Sequence, residues 1–263
     1  MKKLLLFPLI LGAFLFLGSG RITDTLDFYQ SKNTKSQKSD PYEALQGAWT
    51  TSYMDELGEE VTVTTIVMDG FLAKTFYNLK TKTFIKTYGG SWTVDKNTIT
   101  LTMEWSSSDS SAVGASRAII FDIKGDKISF ENDEKIWTRI DTGKPGDLAG
   151  AWLMSGRVRD GKISRREPGP RKTMKILSKT RFQWIAYNTE TWKFSGSGGG
   201  TYTAEDGKYV ENIEFFSRDS SRVGASLSFD YEIMENEWHH SGLSSKGKPI
   251  HEIWSPRILS KLN

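Results

Sequence analysis

An internal repeat restricts this chain more than any other feature. Residues 71–130 superimpose on residues 181–240 without a gap at a constant offset of 110. That register pairs Tyr77-Asn78 with Tyr187-Asn188, Phe84 with Phe194, Gly89-Gly90 with Gly199-Gly200, and Glu104 with Glu214. It also pairs the run DSSAVGAS from Asp109 with DSSRVGAS from Asp219. Outside the window the register drifts but landmarks persist: Gly47-Ala48-Trp49 answers Gly150-Ala151-Trp152, and Ile136-Trp137 answers Ile253-Trp254. The fold must therefore be one that about 100 residues can complete, twice over, each time around its own core. Differences between the copies mark what one has acquired and the other lacks.

Residues 1–20 read as a signal peptide: Lys2 and Lys3, an apolar run from Leu4 to Leu17, then Gly18-Ser19-Gly20. The run falls short of the roughly 20 apolar residues a membrane span needs, so cleavage is expected and no stable membrane anchor remains afterwards. The chain has no cysteine, which excludes disulfides and a lipidated cysteine and suits a bacterial periplasmic or secreted location. Losing Lys2 and Lys3 takes the formal charge from +3 to +1, so no nucleic-acid partner is expected. Residues 21–43 are polar and aperiodic and read as a flexible linker.

Both copies consist of short alternating segments punctuated by turn residues, an all-β signature. Ile99, Leu101, Met103 and Trp105 share one predicted face of a strand whose other face carries threonines. Asp95-Lys96-Asn97 and Gly125-Asp126 read as tight turns. The expected fold is two tandem up-and-down antiparallel β-barrels of eight or nine short strands, over residues 44–142 and 148–258, with no helix after the signal.

The opening Gly-x-Trp of each copy (Gly47/Trp49, Gly150/Trp152), the Gly-Gly-x-[Trp/Tyr]-Thr strand, the Asp-Ser-Ser loops and the Trp238-His239-His240-Ser241-Gly242 strand resemble secreted bacterial lipocalin-like, calycin-type domains. The resemblance runs from about residue 45 to 257. It implies a barrel with an internal cavity for a small, often apolar molecule, and it implies no reaction.

Along the strand at Ile99 the copies read Ile99/Tyr209, Leu101/Glu211, Met103/Ile213 and Trp105/Phe215. A carboxylate has replaced a leucine in an apolar file. Further on, Phe130 corresponds to His240. Burying an unpaired carboxylate costs several kcal/mol, so Glu211 needs a partner, and His240 is the candidate. With Tyr209, Phe215, Phe229, Tyr231 and Trp238 the pair would line a ligand-binding pocket in the second barrel, apolar with a few convergent polar groups. The alternative is that this file faces solvent, or that both groups satisfy each other in a filled core.

Glu104 and Glu214 occur in both copies, which points to a shared structural role. The Asp-Ser-Ser loops lack a phosphate-binding pattern and a following helix. A basic stretch from Arg157 to Lys172 replaces the acidic Asp55–Glu60 connection of the first copy. It reads as a solvated loop, an attraction between barrels, or a cationic mouth. His239 and His251 satisfy no metal-ligand spacing with His240 and Glu211, no nucleophile elbow or dinucleotide fingerprint is present, and no cofactor is expected. The leading expectation is a non-catalytic small-molecule carrier using the second barrel, with the first as a degenerate scaffold. An enzyme using Glu211 and His240 for proton transfer, and an accessory subunit with a protein partner, are the alternatives.

Overall fold

Alternation of apolar and polar side chains along short strands leaves each strand one face to bury, and closing the sheet on itself buries all those faces together. The computed structural model describes residues 40–244 and 246–259; the expected signal peptide and most of the expected linker lie outside the described residues. Eight strands close the first barrel, with β8 returning to β1. These are β1 (Gly47–Met54), β2 (Glu60–Met68), β3 (Phe71–Asn78), β4 (Thr83–Asp95), β5 (Thr98–Ser106), β6 (Ser116–Lys124), β7 (Lys127–Phe130) and β8 (Asp133–Asp141). The second barrel uses β9 (Gly150–Arg159), β11 (Arg171–Leu177), β12 (Arg181–Asn188), β13 (Phe194–Glu205), β14 (Lys208–Phe216), β15 (Ser226–Met234), β16 (Glu237–Leu243) and β17 (Pro249–Pro256). β17 closes it on β9. A short strand, β10 (Lys162–Arg165), forms a hairpin with the end of β9. The all-β expectation of two tandem antiparallel barrels holds.

One expectation fails at the start of the first barrel. Residues 41–45, read partly as linker and partly as barrel, form a short helix, α1 (Pro41–Leu45), capped by the Asp40 carboxylate accepting from the Tyr42 N–H. Leu45 is buried in the barrel core, and its carbonyl accepts the Trp49 indole N–H at 2.9 Å. Leu148 and Trp152 repeat this contact at 2.9 Å in the second barrel. The Gly-x-Trp landmark is thus the strand end of a tryptophan lock on the segment entering each barrel.

A second difference concerns side-chain parity. Simple alternation along β5 puts Trp105 on the lumenal face with Ile99 and Leu101, but the register with β4 shifts between Gly89 and Gly90, so Glu104 is the extra residue of a β-bulge. The same shift occurs between Gly199 and Gly200, bulging Glu214. The strands cross so closely here that a Cβ on Gly90 would lie 1.9 Å from the Thr102 carbonyl oxygen, and one on Gly200 2.1 Å from that of Asn212. Past the bulge, Trp105 and Phe215 point out of their barrels and into the contact between them. Trp105 packs on Tyr187, and Phe215 on Tyr77.

That contact is an apolar cluster with Ile66, Phe71 and Trp105 from the first barrel and Met174, Ile176 and Ile185 from the second. Phe84 and Phe194, equivalent residues, stack on each other at 6.4 Å. The bulged glutamates complete it reciprocally. Tyr77 donates its hydroxyl to Glu214 at 2.7 Å and Tyr187 donates to Glu104 at 2.7 Å, while Arg181 and Arg257 pair with the same two carboxylates. The structural role expected for Glu104 and Glu214 is therefore to bind the partner barrel's tyrosine. Tyr77→Phe and Tyr187→Phe should each cost about 1–2 kcal/mol in chemical denaturation, because each removes one hydrogen bond to a charged group while an arginine still holds the carboxylate. A pair of variants as stable as the wild type would remove these bonds from the account of the interface.

Candidate functional site

In the second barrel Glu211 and His240 both point inward and are buried. They do not form the expected pair. Glu211 Oε1 accepts from the Lys175 ammonium at 2.8 Å and from the Tyr209 hydroxyl at 2.9 Å, and both charged side chains are almost fully buried. The ammonium also sits over the Tyr209, Trp238 and Trp254 rings at 4.9, 4.7 and 5.1 Å. His240 packs against the Phe229 ring at 4.1 Å, with its Nδ1 3.8 Å from Glu252 and neither ring nitrogen hydrogen-bonded. Burial first, and then the Lys175 charge, pull the His240 imidazole down to about 4, so it is neutral at physiological pH.

Of the remaining residues expected in this pocket, Phe229 lines a cavity of about 230 Å³ together with Glu211 and His240. Tyr209 and Trp238 do not line it; both are wholly buried behind it against His240, their rings 5.1 Å apart. Phe215 belongs to the contact between barrels because of the bulge, and Tyr231 is half-buried at the rim, its hydroxyl donating to Asp147. Sequence reasoning missed Lys175, whose counterpart in the first copy is Thr65.

The first barrel, expected to be a degenerate scaffold, encloses the larger space, a cavity of about 510 Å³. Trp49, Ile99, Leu101, Ile128 and Trp137 give it an apolar lining. Bulk is arranged differently in the two lumens, with Tyr88 in the first at the position of Gly198 in the second. Trp184 and Phe216 fill the second lumen edge to face at 5.5 Å, where the first barrel has Lys74 and Ser106. The wall is also incomplete: β7 is four residues long and pairs only with Phe121–Lys124 of β6, leaving Ser116–Ile119 without a strand partner on that side. Arg117 and Ala118 on one side of this gap and Asn132 and Asp133 on the other line the cavity. In the second barrel β16 runs to seven residues and covers β15 back to Phe229.

Lys74 is the lumenal cation of the first barrel. It lies on β3 directly across from Thr65 on β2, and its ammonium is 4.2 Å from the centre of the Trp137 ring. In the second barrel the equivalent cross-strand pair is Lys175 and Trp184, so the lysine has changed strands. Lys74 has no ion pair or side-chain hydrogen bond among the described residues. The nearby Asp133 is engaged elsewhere, accepting from the Trp137 indole at 3.3 Å and pairing with Lys135 at 3.5 Å. Burial pulls the Lys74 ammonium down to about 8, against the opposing field of Asp133, and leaves it mostly charged at neutral pH.

The basic stretch of the second barrel is largely a hairpin. Arg165 forms a bidentate pair with Glu237 at 2.8 Å, Arg157 pairs with Glu252 at 3.2 Å, and among the described residues no ion pair joins it to the acidic loop of the first barrel. His239 meets His251 at 3.3 Å away from the Glu211 pair, and among the described residues no three metal-binding side chains converge.

Residues 147–262, which span the second barrel, match the family model described as Domain of unknown function (DUF4488). No curated protein matches the chain. The second half is thus similar to that family, and two eight-stranded antiparallel barrels in tandem fit a lipocalin-like fold.

Proposed function

We propose that this chain is an exported, non-catalytic small-molecule-binding protein, akin to secreted bacterial lipocalin-like domains, that holds an amphipathic or apolar ligand inside a barrel. The observation that carries this reading is the cavity of about 510 Å³ in the first barrel, apolar-lined and reached through the gap beside β7. Its volume lies within the range of roughly 300–1,000 Å³ typical of ligand pockets. Export rests on the leader sequence, with its paired lysines and short apolar run.

The second barrel offers a smaller accessory site. There the His240 ring, without a hydrogen bond though Glu252 lies 3.8 Å from its Nδ1, borders a cavity of about 230 Å³ and favours a small polar ligand. Proton transfer by Glu211 and His240 loses support, since the carboxylate is held by Lys175 and the imidazole stays neutral and poorly basic.

The test uses the neutral apolar dye N-phenyl-1-naphthylamine. The wild-type protein should bind it and brighten it. Leu101→Trp, which fills the first cavity, should weaken binding at least about tenfold, while Ile213→Trp in the second lumen should leave it nearly unchanged. Binding that survived Leu101→Trp and vanished with Ile213→Trp would move the site to the second barrel.

A further inference from the structure

The two lumenal lysines are in opposite electrostatic situations, and the difference identifies a ligand class. In the second barrel Lys175 is neutralised from within by Glu211, whose side chain projects from β14 across the lumen. In the first barrel the position of Glu211 is Leu101, and Lys74 faces the cavity with aromatic rings around it; Asp133, in the same lining, acts on it through its field but forms no ion pair or hydrogen bond with it. A largely buried ammonium balanced only by the field of Asp133 is costly, and the protein has kept one at the edge of the first barrel's cavity of about 510 Å³. Trp137, at 4.2 Å, offsets part of that cost through its ring face, and among the described residues no side chain accepts from the ammonium, whose N–H groups are left to the cavity. Arg117, exposed at the gap beside β7, adds a second positive charge along the way in.

We infer that the first barrel binds a monoanionic amphipath, its acid head group accepting hydrogen bonds from Lys74 and its apolar tail lying among Trp49, Leu101 and Ile128. Glu211 of the second barrel is then the built-in equivalent of that ligand's head group, so the second lumen is closed to the same class of molecule. This inference rests on the lumenal-binding reading above and adds to it the charge and the contacting residue.

The test compares dodecanoate with dodecan-1-ol, which match in tail and differ in head-group charge, as competitors of N-phenyl-1-naphthylamine at neutral pH. The wild-type protein should prefer dodecanoate by at least about tenfold, the worth of one charge-assisted hydrogen bond. Lys74→Met, which keeps the bulk of the side chain and removes the charge, should bind both equally, and Lys74→Arg should keep the preference. Circular dichroism of the variants and their retained binding of dodecan-1-ol show that the lumen is intact. Equal binding of the two competitors by the wild type overturns the anion inference and leaves lumenal binding standing. A preference that persists in Lys74→Met overturns the role of Lys74. If neither competitor nor dye enters, the lumenal-binding reading fails and this inference fails with it.

Discussion

Replacing Glu211 with leucine, the residue the first barrel carries at that position, is expected to destabilise the protein by about 3–5 kcal/mol in urea denaturation. The Lys175 and Glu211 side chains are 5% and 6% exposed, so the substitution strands a buried ammonium and also takes the acceptor from the Tyr209 hydroxyl. The double variant Lys175→Thr/Glu211→Leu, which restores the first barrel's residues at both positions, should recover most of that loss. Exchanging both members of a buried pair for uncharged side chains removes the desolvation cost together with the attraction. A single substitution no worse than the double would mean that the pair is hydrated and weak.

Stability should also fall as the pH drops from about 6.5 towards 4. His240 titrates at about 4 in the folded protein because of burial and the neighbouring Lys175, against about 6.5 when unfolded. The unfolded chain therefore binds the extra proton first, and stability present above the higher value is lost as pH falls through this window, by roughly 3 kcal/mol once both forms are protonated. Glu252 is also poised on the acid side: burial opposes its ionisation, but His240, Lys175 and Arg157 keep its carboxyl below the usual range. His240→Phe, the first barrel's residue, should flatten the part of the melting-temperature profile that belongs to the imidazole and also weaken that of the Glu252 carboxylate, which loses one of the groups holding it down. Identical profiles for variant and wild type would show that His240 is not desolvated.

The repeat, the alternation and the turn residues made the two barrels legible, as did the inward direction of Glu211 and His240, because a side chain's face follows from parity within an unbroken strand. Parity failed for Phe215 because of the bulge at Glu214. The signal was the Gly-Gly pair repeated in both copies, since consecutive glycines inside a strand mark a close crossing or an extra residue. Lys175 was missed because the comparison that exposed Glu211 began at residue 71, beyond the Thr65/Lys175 difference. Lys74 opposite Trp184 lay inside that window and pointed towards the first barrel. What no pattern conveys is volume. The space in the first lumen depends on how Lys74 and Tyr88 stand in for Trp184 and Gly198 and on a strand of four residues, features that emerge only when the wall is assembled.

The join between the barrels is no longer interchangeable, and its centre shows this most directly. Gln183 sits where the first barrel has Ala73, and its amide bridges the centre, accepting from Thr75 at 2.9 Å and donating to Thr87 of the other barrel and Ser197 of its own at 2.9 Å each. Two second halves brought face to face would confront two amides with each other and with Ile185 in place of Thr75; two first halves would have no amide at all. Each half is therefore shaped for the other and against its own kind, which disfavours association between like halves of neighbouring molecules and lets the two lumens diverge in content without loosening their union.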